Sequence, residues 1–353
     1  IKGEPVAIGA LERFVNDWAE ARGGIPLEPG PPTGYSVAII GAGPAGMAAA
    51  EQLLRLGHRP TLFDALETPG GLLSHGRPGF KRDPAGGERR WGSRERAGAV
   101  FQGNRTFGKT LTVESLFAQQ FDAVFVGVGA LASVTPQLPG VDLPGVTQAM
   151  DFLRAPRAPG SLAGRRVVVL GGGDTAMDCA RTAVRLGAAQ ARIAYRRDEP
   201  NMPGSRKEVA AAREEGVEFE FLVSPTGFEP GPDGRLAVIR CERMALGEPD
   251  GQGRRAPRPV ADSGFAIPAD LAVLAFGFRP DGRLLAESLG LATNPDGAVL
   301  VNPETGATSR TSVFAGGDCA RGADLVCTAV ADGRRAARGI HRFLEDGDWG
   351  AVR

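Results

Sequence analysis

The same short pattern occurs twice in this 353-residue chain: an apolar run, a turn of closely spaced glycines, and an alanine-rich segment. The two copies lie within residues 36–57 and 165–197. Each apolar run predicts a buried parallel strand, and each alanine-rich segment predicts a helix that packs back onto that strand. Strands that enter helices through glycine turns are typical of sheets covered by helices on both faces. The repetition therefore predicts an α/β fold with two Rossmann-like, three-layer domains.

The turn of the first copy, residues 41–46, reads GAGPAG and is typical of a dinucleotide site. Gly41 permits the tight turn, Gly43 lets a pyrophosphate approach the backbone, and Gly46 lets helix and strand pack closely. Free N–H groups at the helix N-terminus favour the phosphates. Asp64 ends the next strand, 64 − 41 = 23 residues on, where a carboxylate binds ribose hydroxyls and repels a 2′-phosphate. The candidate cofactor-binding residues of this copy, which suit FAD or NAD, are Gly41, Gly43, Pro44, Ala45, Gly46 and Asp64.

The second copy has the same plan but the opposite charge after its second strand. Its turn reads GGGDTA (residues 171–176), with alanine at the third glycine position, which the motif tolerates. The following strand ends in Arg196 and Arg197, whose guanidinium groups match a 2′-phosphate in charge and geometry. The alternative is a pair of solvated arginines at a strand end. The candidate residues of this copy, which favour NADPH over NADH, are Gly171, Gly173, Asp174, Thr175, Ala176, Arg196 and Arg197.

Composition excludes several other classes of function. Acidic and basic side chains number 41 each, so charge gives no reason to expect nucleic acid or an anionic membrane as a partner. No apolar stretch approaches the roughly 18 residues of a membrane span, and no secretory signal layout is present, so we expect a cytoplasmic protein. The four cysteines form no CxxC pair, and we expect no metal site. We also find no catalytic triad or carboxylate pair, so no catalytic residue is assigned.

Two nucleotide sites in one chain imply that two cofactors meet and that a hydride passes between them. The cofactors then carry the chemistry, and the protein orients them. With opposite charge at the two ribose positions, the sequence predicts a flavoprotein that transfers a hydride from NADPH to FAD.

Several long segments resemble the small (beta) subunit of NADPH-dependent glutamate synthase. They are ALERFVNDWA (10–19), SVAIIGAGPAG (36–46), GGLL (70–73), LGGGDTAMDCAR (170–181), YRRDEPNMPGSRKEV (195–209), AREEGVEF (212–219), FGFRP (276–280) and FAGGDCARGADLV (314–326). The resemblance implies that electrons pass from FAD through iron–sulfur clusters to a large subunit. It also implies that the 311–318 segment returns to the FAD domain, where Asp318 contacts the ribityl or pyrophosphate region. Further candidate cofactor-binding residues are Gly71 and Leu72 beside FAD, Gly277 on the nicotinamide side, Gly129 and Gly317.

The sequence departs from that family in two places. The family carries a cysteine-rich N-terminal region that holds iron–sulfur clusters, whereas the first cysteine here is Cys179. We therefore expect iron–sulfur clusters only on an N-terminal segment absent from this sequence or on a partner. Secondly, residues 74–99 contain six Arg and six Gly but no Ile, Leu, Val or Met. This composition predicts a poor helix that covers little apolar surface. If the segment shields the flavin in the family, such a composition would impair activity.

The predicted domains are an N-terminal helix and connector (1–30), a discontinuous FAD domain (31–162 plus 282–353) and an inserted NADPH domain (163–281). The electron acceptor is predicted to be a large glutamate synthase-type subunit or another acceptor. Two alternatives remain at this point. One is a ferredoxin- or quinone-linked NAD(P)H reductase on the same scaffold, and the other is a non-catalytic paralogue that binds nucleotides without turnover.

Overall fold

The structure, a computed structural model, describes residues 6–81, 91–155, 158–249 and 255–350. Its strands are β1 Ser36–Ile40, β2 Arg59–Phe63, β3 Val100–Gln102, β4 Ala123–Val126, β5 Ala132–Ser133, β6 Val146–Gln148, β7 Arg166–Leu170, β8 Gln190–Tyr195, β9 Glu218–Phe221, β10 Val223–Pro230, β11 Leu236–Pro249, β12 Arg255–Pro259, β13 Phe265–Pro268, β14 Leu271–Leu274, β15 Phe278–Arg279 and β16 Val313–Ala315. The α-helices are α1 Ile8–Glu20, α2 Pro44–Arg55, α3 Leu72–His75, α4 residues 91–96, α5 Val113–Ala118, α6 Ala149–Arg154, α7 Asp174–Arg185, α8 Arg206–Glu214, α9 Asp318–Arg321 and α10 Val326–Asp346.

The first sheet is parallel and has the order β16-β4-β1-β2-β3. Its central strands are buried on both faces, as expected for continuous apolar runs in a parallel sheet. Helices α2 and α10 pack together on one face. They approach so closely that a Cβ on Gly333 would lie 2.1 Å from the Ala45 carbonyl oxygen. Since β16 comes from the C-terminal part of the chain, this sheet is discontinuous in sequence.

The second sheet is also parallel and has the order β6-β14-β7-β8-β9. Helices α6, α7 and α8 pack around it over a core that includes Phe152, Met177 and Ile193. Strand β6 and helix α6 precede residue 162, yet they belong to this sheet and its core. The segment predicted for the FAD domain, 31–162, therefore contains a strand and a helix that pack with the second sheet. The domain boundaries as a whole stay a prediction.

An antiparallel sheet of β10, β11, β12 and β13 packs beside the second parallel sheet. Within this sheet β11 pairs with β12, with Leu246 opposite Pro257 and Pro249 opposite Arg255. Prolines and arginines suit this position because β12 is an edge strand.

Of the composition-biased segment 74–99, the structure describes residues 74–81 and 91–99, and residues 82–90 lie outside the described part of the chain. Trp91 is 8% exposed, packs into the core of the first sheet and meets Phe101 edge to face at 5.7 Å. The expectation that the segment covers little apolar surface is wrong at Trp91, because one large aromatic ring can replace several aliphatic side chains.

Helix α1 lies within the predicted N-terminal helix and connector (1–30), but it buries no residue. Its large apolar side chains, among them Leu11, Phe14 and Trp18, are each more than half exposed. Over the described ranges, none of the helices has the length and apolar character that crossing a membrane requires.

A buried histidine pair lies away from the glycine turns. His58 is 2% exposed, with Nδ1 2.7 Å from the Thr33 hydroxyl and Nε2 3.0 Å from Nδ1 of His341. Burial, together with the positive charge available to His341, lowers the pKa of His58 to about 4, while Asp122 opposes the shift. The imidazole of His58 is therefore neutral in the folded protein at physiological pH.

This histidine should make the protein less stable in mild acid. Between pH 6.5 and pH 4 the unfolded chain binds a proton at residue 58 and the folded chain does not, so the free energy of unfolding falls as the pH falls. We expect His58 to account for a loss of about 1–2 kcal/mol between pH 7.5 and pH 5. Urea unfolding of the wild type and His58→Gln at both pH values measures it. His75→Gln, at a more exposed histidine, is the control, and an unchanged pH dependence in His58→Gln would contradict the assignment.

Candidate dinucleotide-binding sites

The first glycine turn joins β1 to α2 at the carboxyl edge of the first sheet. Gly41 has φ +99°, and a Cβ there would lie 2.4 Å from the Gly127 carbonyl oxygen. A Cβ on Gly46 would lie 1.9 Å from the Gly41 oxygen. By contrast, a Cβ on Gly43 would meet no atom within 4 Å among the described residues. Gly41 and Gly46 are thus required by packing, while Gly43 borders open space at the helix N-terminus.

Two further glycines form a wall of this open space. Gly70 donates its N–H to the Ala42 carbonyl at 2.8 Å. Gly71 has φ +55°, and a Cβ on it would lie 2.8 Å from the Cα of Gly43. Leu72 begins the short helix α3 directly after them. The structure therefore brings Gly71 and Leu72 beside the first glycine turn.

Asp64 follows β2 at the same edge of the sheet. Its carboxylate accepts the N–H of Ala42 at 2.8 Å and the N–H of Leu66 at 2.9 Å. These bonds orient the side chain toward the glycine turn. Each carboxylate oxygen has two lone pairs, so the group retains acceptor capacity for a ribose hydroxyl.

The C-terminal segment returns to the first glycine turn after β16. Gly317 has φ +75°, and a Cβ there would lie 2.9 Å from the Ala45 Cβ. Asp318 is half-buried, and burial raises the pKa of its carboxyl group. Gly129 follows β4, the strand beside β16, and borders open space with φ +76°. The ends of four neighbouring strands, β16, β4, β1 and β2, thus bring together residues predicted for one site.

The second glycine turn repeats this geometry between β7 and α7. Gly171 has φ +147°, and a Cβ there would lie 2.2 Å from the Ala275 oxygen. A Cβ on Gly173 would again meet nothing within 4 Å in the described structure. Ala176 is fully buried at the third position, so its methyl group is accommodated. Asp174 is exposed and accepts the Ser205 N–H at 2.7 Å, and Thr175 follows in the first turn of α7.

Both arginines follow β8, whose last residues border the second turn. Gly171 donates its N–H to the Ala194 oxygen at 3.1 Å. The Arg196 side chain is exposed and has no hydrogen bond or ion pair with any residue of the described ranges. Arg197 donates Nε–H to the Arg255 carbonyl at 3.2 Å, which ties it to β12. The structure thus places Arg196 after β8 beside the second turn, without a partner among the described residues, and it constrains Arg197.

A cavity of about 510 Å³ lies beside this turn, between the segment 199–204 and α8. Met202, Gly204, Arg206 and Arg213 contribute to its lining. Ser205 caps α8 by accepting the Glu208 N–H. Gly204 connects this cavity to the second glycine turn, since its N–H donates to the Gly172 carbonyl oxygen at 2.9 Å.

The two sites are joined by a short antiparallel ribbon of β5 and β15. Gly277 precedes β15, has φ +95° and borders open space, and its carbonyl accepts the N–H of Val134 at 3.1 Å. Gly277 therefore lies where the chain passes between the two sheets, and its place on the nicotinamide side stays a prediction.

A second connection between the two halves has no signal in the sequence. Lys81 forms ion pairs with Asp178 on α7 and Glu208 on α8. The guanidinium of Arg185 lies 4.1 Å from the centre of the Phe80 ring. Burial raises the pKa of the Asp178 carboxyl group, and the ion pair with Lys81 opposes that rise. These contacts attach the composition-biased segment 74–99 to α7, the helix that begins at the second glycine turn.

Both sites fit a bound dinucleotide. Each presents a helix N-terminus, an extended glycine that borders open space, and a charged side chain at the next strand end. No group of three or more His, Cys, Asp or Glu side chains in the described ranges is arranged to hold a metal ion.

Comparison with known proteins agrees with this geometry. Residues 35–333 match the family model of the pyridine nucleotide-disulphide oxidoreductases. The chain is 48% identical to AegA of Escherichia coli over 96% of its length and spans only 54% of that protein. It is 46% identical to the glutamate synthase [NADPH] small chain of Halomonas elongata, over 96% of this chain and 75% of that one.

Among solved structures, the fold is similar to FprA of Mycobacterium tuberculosis in complex with NADPH. The TM-score is 0.74 at 22% sequence identity, and the match covers 89% of this chain and 85% of FprA. This likeness confirms the α/β fold predicted from the two glycine turns. The chain therefore belongs to the pyridine nucleotide-disulphide oxidoreductase family and, within it, to the group of the glutamate synthase [NADPH] small chains.

Proposed function

We propose that the chain oxidises NADPH through bound FAD and is the electron-input subunit of a glutamate synthase-type enzyme. The observation that carries the proposal is the opposite charge at two otherwise matched sites, Asp64 beside the first glycine turn and Arg196 beside the second. A carboxylate disfavours a 2′-phosphate and a free guanidinium favours it. The names of the small-chain relatives support the same assignment.

In this proposal the FAD site is the first one. The N–H groups at the start of α2 and the open face of Gly43 receive the pyrophosphate. Asp64 accepts ribose hydroxyls, and Asp318 accepts from the ribityl or pyrophosphate region. Gly71, Gly129 and Gly317 line the approach without side chains that would fill it, and Leu72 borders it.

NADPH occupies the second site. The start of α7, with Gly173 and Thr175, receives its pyrophosphate, and Arg196 and Arg197 receive the 2′-phosphate. Gly277 leaves the nicotinamide side open between the sites. The contacts of Lys81 with α7 and α8 hold the second site at a fixed orientation to the first.

When bound, FAD supplies the ring system that accepts a hydride from the nicotinamide and passes electrons on singly. The protein therefore needs to position two rings and exclude water, with no side chain acting as acid or base. The acceptor is a large glutamate synthase-type subunit, reached through iron–sulfur clusters held on another segment or on a partner. A cytoplasmic location stays a prediction.

The first test is an anaerobic visible spectrum of the purified chain, reconstituted with FAD, before and after addition of NADPH. We expect a flavin spectrum that bleaches with NADPH and much more slowly with NADH. Failure to take up FAD would contradict the proposal and support the non-catalytic alternative. Rapid reduction of an added quinone or ferredoxin, and no electron transfer to a purified large subunit, would support the alternative reductase.

A further inference from the structure

A carboxylate on α10 lies beneath the turn that leads to Asp318. Asp332 is 6% exposed, and its Oδ2 accepts the N–H of Gly317 at 3.2 Å. It lies outside both glycine turns and outside every motif from which the sites were predicted. A buried carboxylate that accepts from one particular backbone N–H fixes the orientation of that peptide group.

Two arginines neutralise this buried charge. Arg321, on α9, donates Nε–H and Nη2–H to Asp332 at 3.2 and 2.7 Å. Arg335, one turn along α10, lies 2.8 Å away. Helix α9 runs from Asp318 to Arg321. The Gly317 hydrogen bond and the bidentate Arg321 pair therefore hold both ends of this four-residue helix to the Asp332 carboxylate.

The backbone packing around Asp332 leaves the turn little freedom. A Cβ on Gly316 would lie 3.1 Å from the Asp332 Cβ. On its other side, the turn contacts Ala45 at the start of α2. The Gly316–Asp318 turn is thus held between α10 and the first glycine turn, and Asp332 is the charged group that sets its orientation.

We propose that Asp332 is a positioning residue for the FAD site: it acts through the Gly317 peptide and Arg321 to aim Asp318 at the cofactor. This inference rests on the proposed function, since it assigns FAD to the first site. Loss of the carboxylate frees the Gly317 peptide and α9, so Asp318 contacts the cofactor in a smaller fraction of molecules.

The test compares Asp332→Asn and Asp332→Ala with the wild type by titrating flavin-free protein with FAD and following the quenching of flavin fluorescence at low temperature. We expect the FAD dissociation constant to rise about tenfold or more. The dissociation constant for NADPH, at the second site, should change less than about twofold. Arg321→Gln should produce a smaller rise in the FAD constant because the Gly317 bond remains, and it serves if Asp332→Ala fails to fold.

Gly339→Ala is the matched control for loss of stability. It lies on the same helix, and its Cβ would lie 2.2 Å from the Thr305 oxygen, away from the turn. We expect it to lower the melting temperature without weakening FAD. Unchanged FAD affinity in both Asp332 variants, or equal weakening in Gly339→Ala, would overturn the positioning role. A wild type that binds no FAD would instead overturn the proposed function itself.

Discussion

Gly43→Val is expected to abolish FAD binding while leaving the fold intact. The backbone of Gly43 is extended (φ −75°, ψ −173°), a conformation that valine adopts readily, and its Cβ position is open. The isopropyl group would fill the space in which the pyrophosphate approaches the α2 N-terminus. Loss of several charge-assisted hydrogen bonds predicts an FAD dissociation constant raised at least about 100-fold, or roughly 3 kcal/mol. Flavin content after reconstitution and circular dichroism measure the two effects separately.

The equivalent variant at the second site should separate the two cofactors. Gly173 has nearly the same backbone conformation (φ −90°, ψ 177°) and the same open Cβ position. We therefore expect Gly173→Val to retain FAD but to lose reduction by NADPH. If both valine variants lost FAD alone, the assignment of two separate sites would be wrong.

Gly46→Ala provides the opposite control. Its Cβ would lie 1.9 Å from the Gly41 oxygen, so the substitution strains the contact between α2 and β1. We expect a loss of about 1–3 kcal/mol in the free energy of unfolding. Substitution of Gly43, which borders open space, should thus weaken FAD binding, whereas substitution of Gly46 should lower the stability of the fold. A stable Gly46→Ala protein together with an unfolded Gly43→Val protein would show that the roles of the two glycines are reversed.

The sequence predicted those features whose physical cause is local. The glycines of both turns, the strands before them and the charges of Asp64 and Arg196 depend on chain segments of about 25 residues. The separate functions of Gly43 and Gly46 follow from the same motif. Local patterns of this kind indicate both the fold class and the kind of ligand.

Features that depend on distant parts of the chain could not be predicted. Strand β6 is three residues long and carries no apolar run, so its pairing with β14 has no local signal. Lys81 meets Asp178 only because two sheets come together, and the composition of the segment around it predicted a poor helix. Asp332 reads as one charge on an amphipathic helix until Gly317 is placed against it.

The preference for NADPH over NADH should depend strongly on the two arginines after β8. In the Arg196→Gln, Arg197→Gln double variant, kcat/KM for NADPH should fall by about 30- to 1000-fold, which corresponds to 2–4 kcal/mol. The same quantity for NADH should change less than about threefold, because NADH lacks the 2′-phosphate. Steady-state reduction of an artificial acceptor with each nucleotide measures both. The Arg196→Gln single variant should account for most of the loss, since Arg196 has no partner among the described residues whereas Arg197 donates to the Arg255 carbonyl.

Arg192→Gln is the matched control on the same strand. Its guanidinium already pairs with Glu218 at 2.9 Å, so its loss should affect neither nucleotide selectively. If the double variant weakened NADPH and NADH equally, the arginines would be stabilising the β8 edge, as solvated strand-end residues do, and the assignment of NADPH would fail. A loss specific to NADPH with the flavin fully retained would instead assign the 2′-phosphate contact to this strand end and leave FAD binding to the first site.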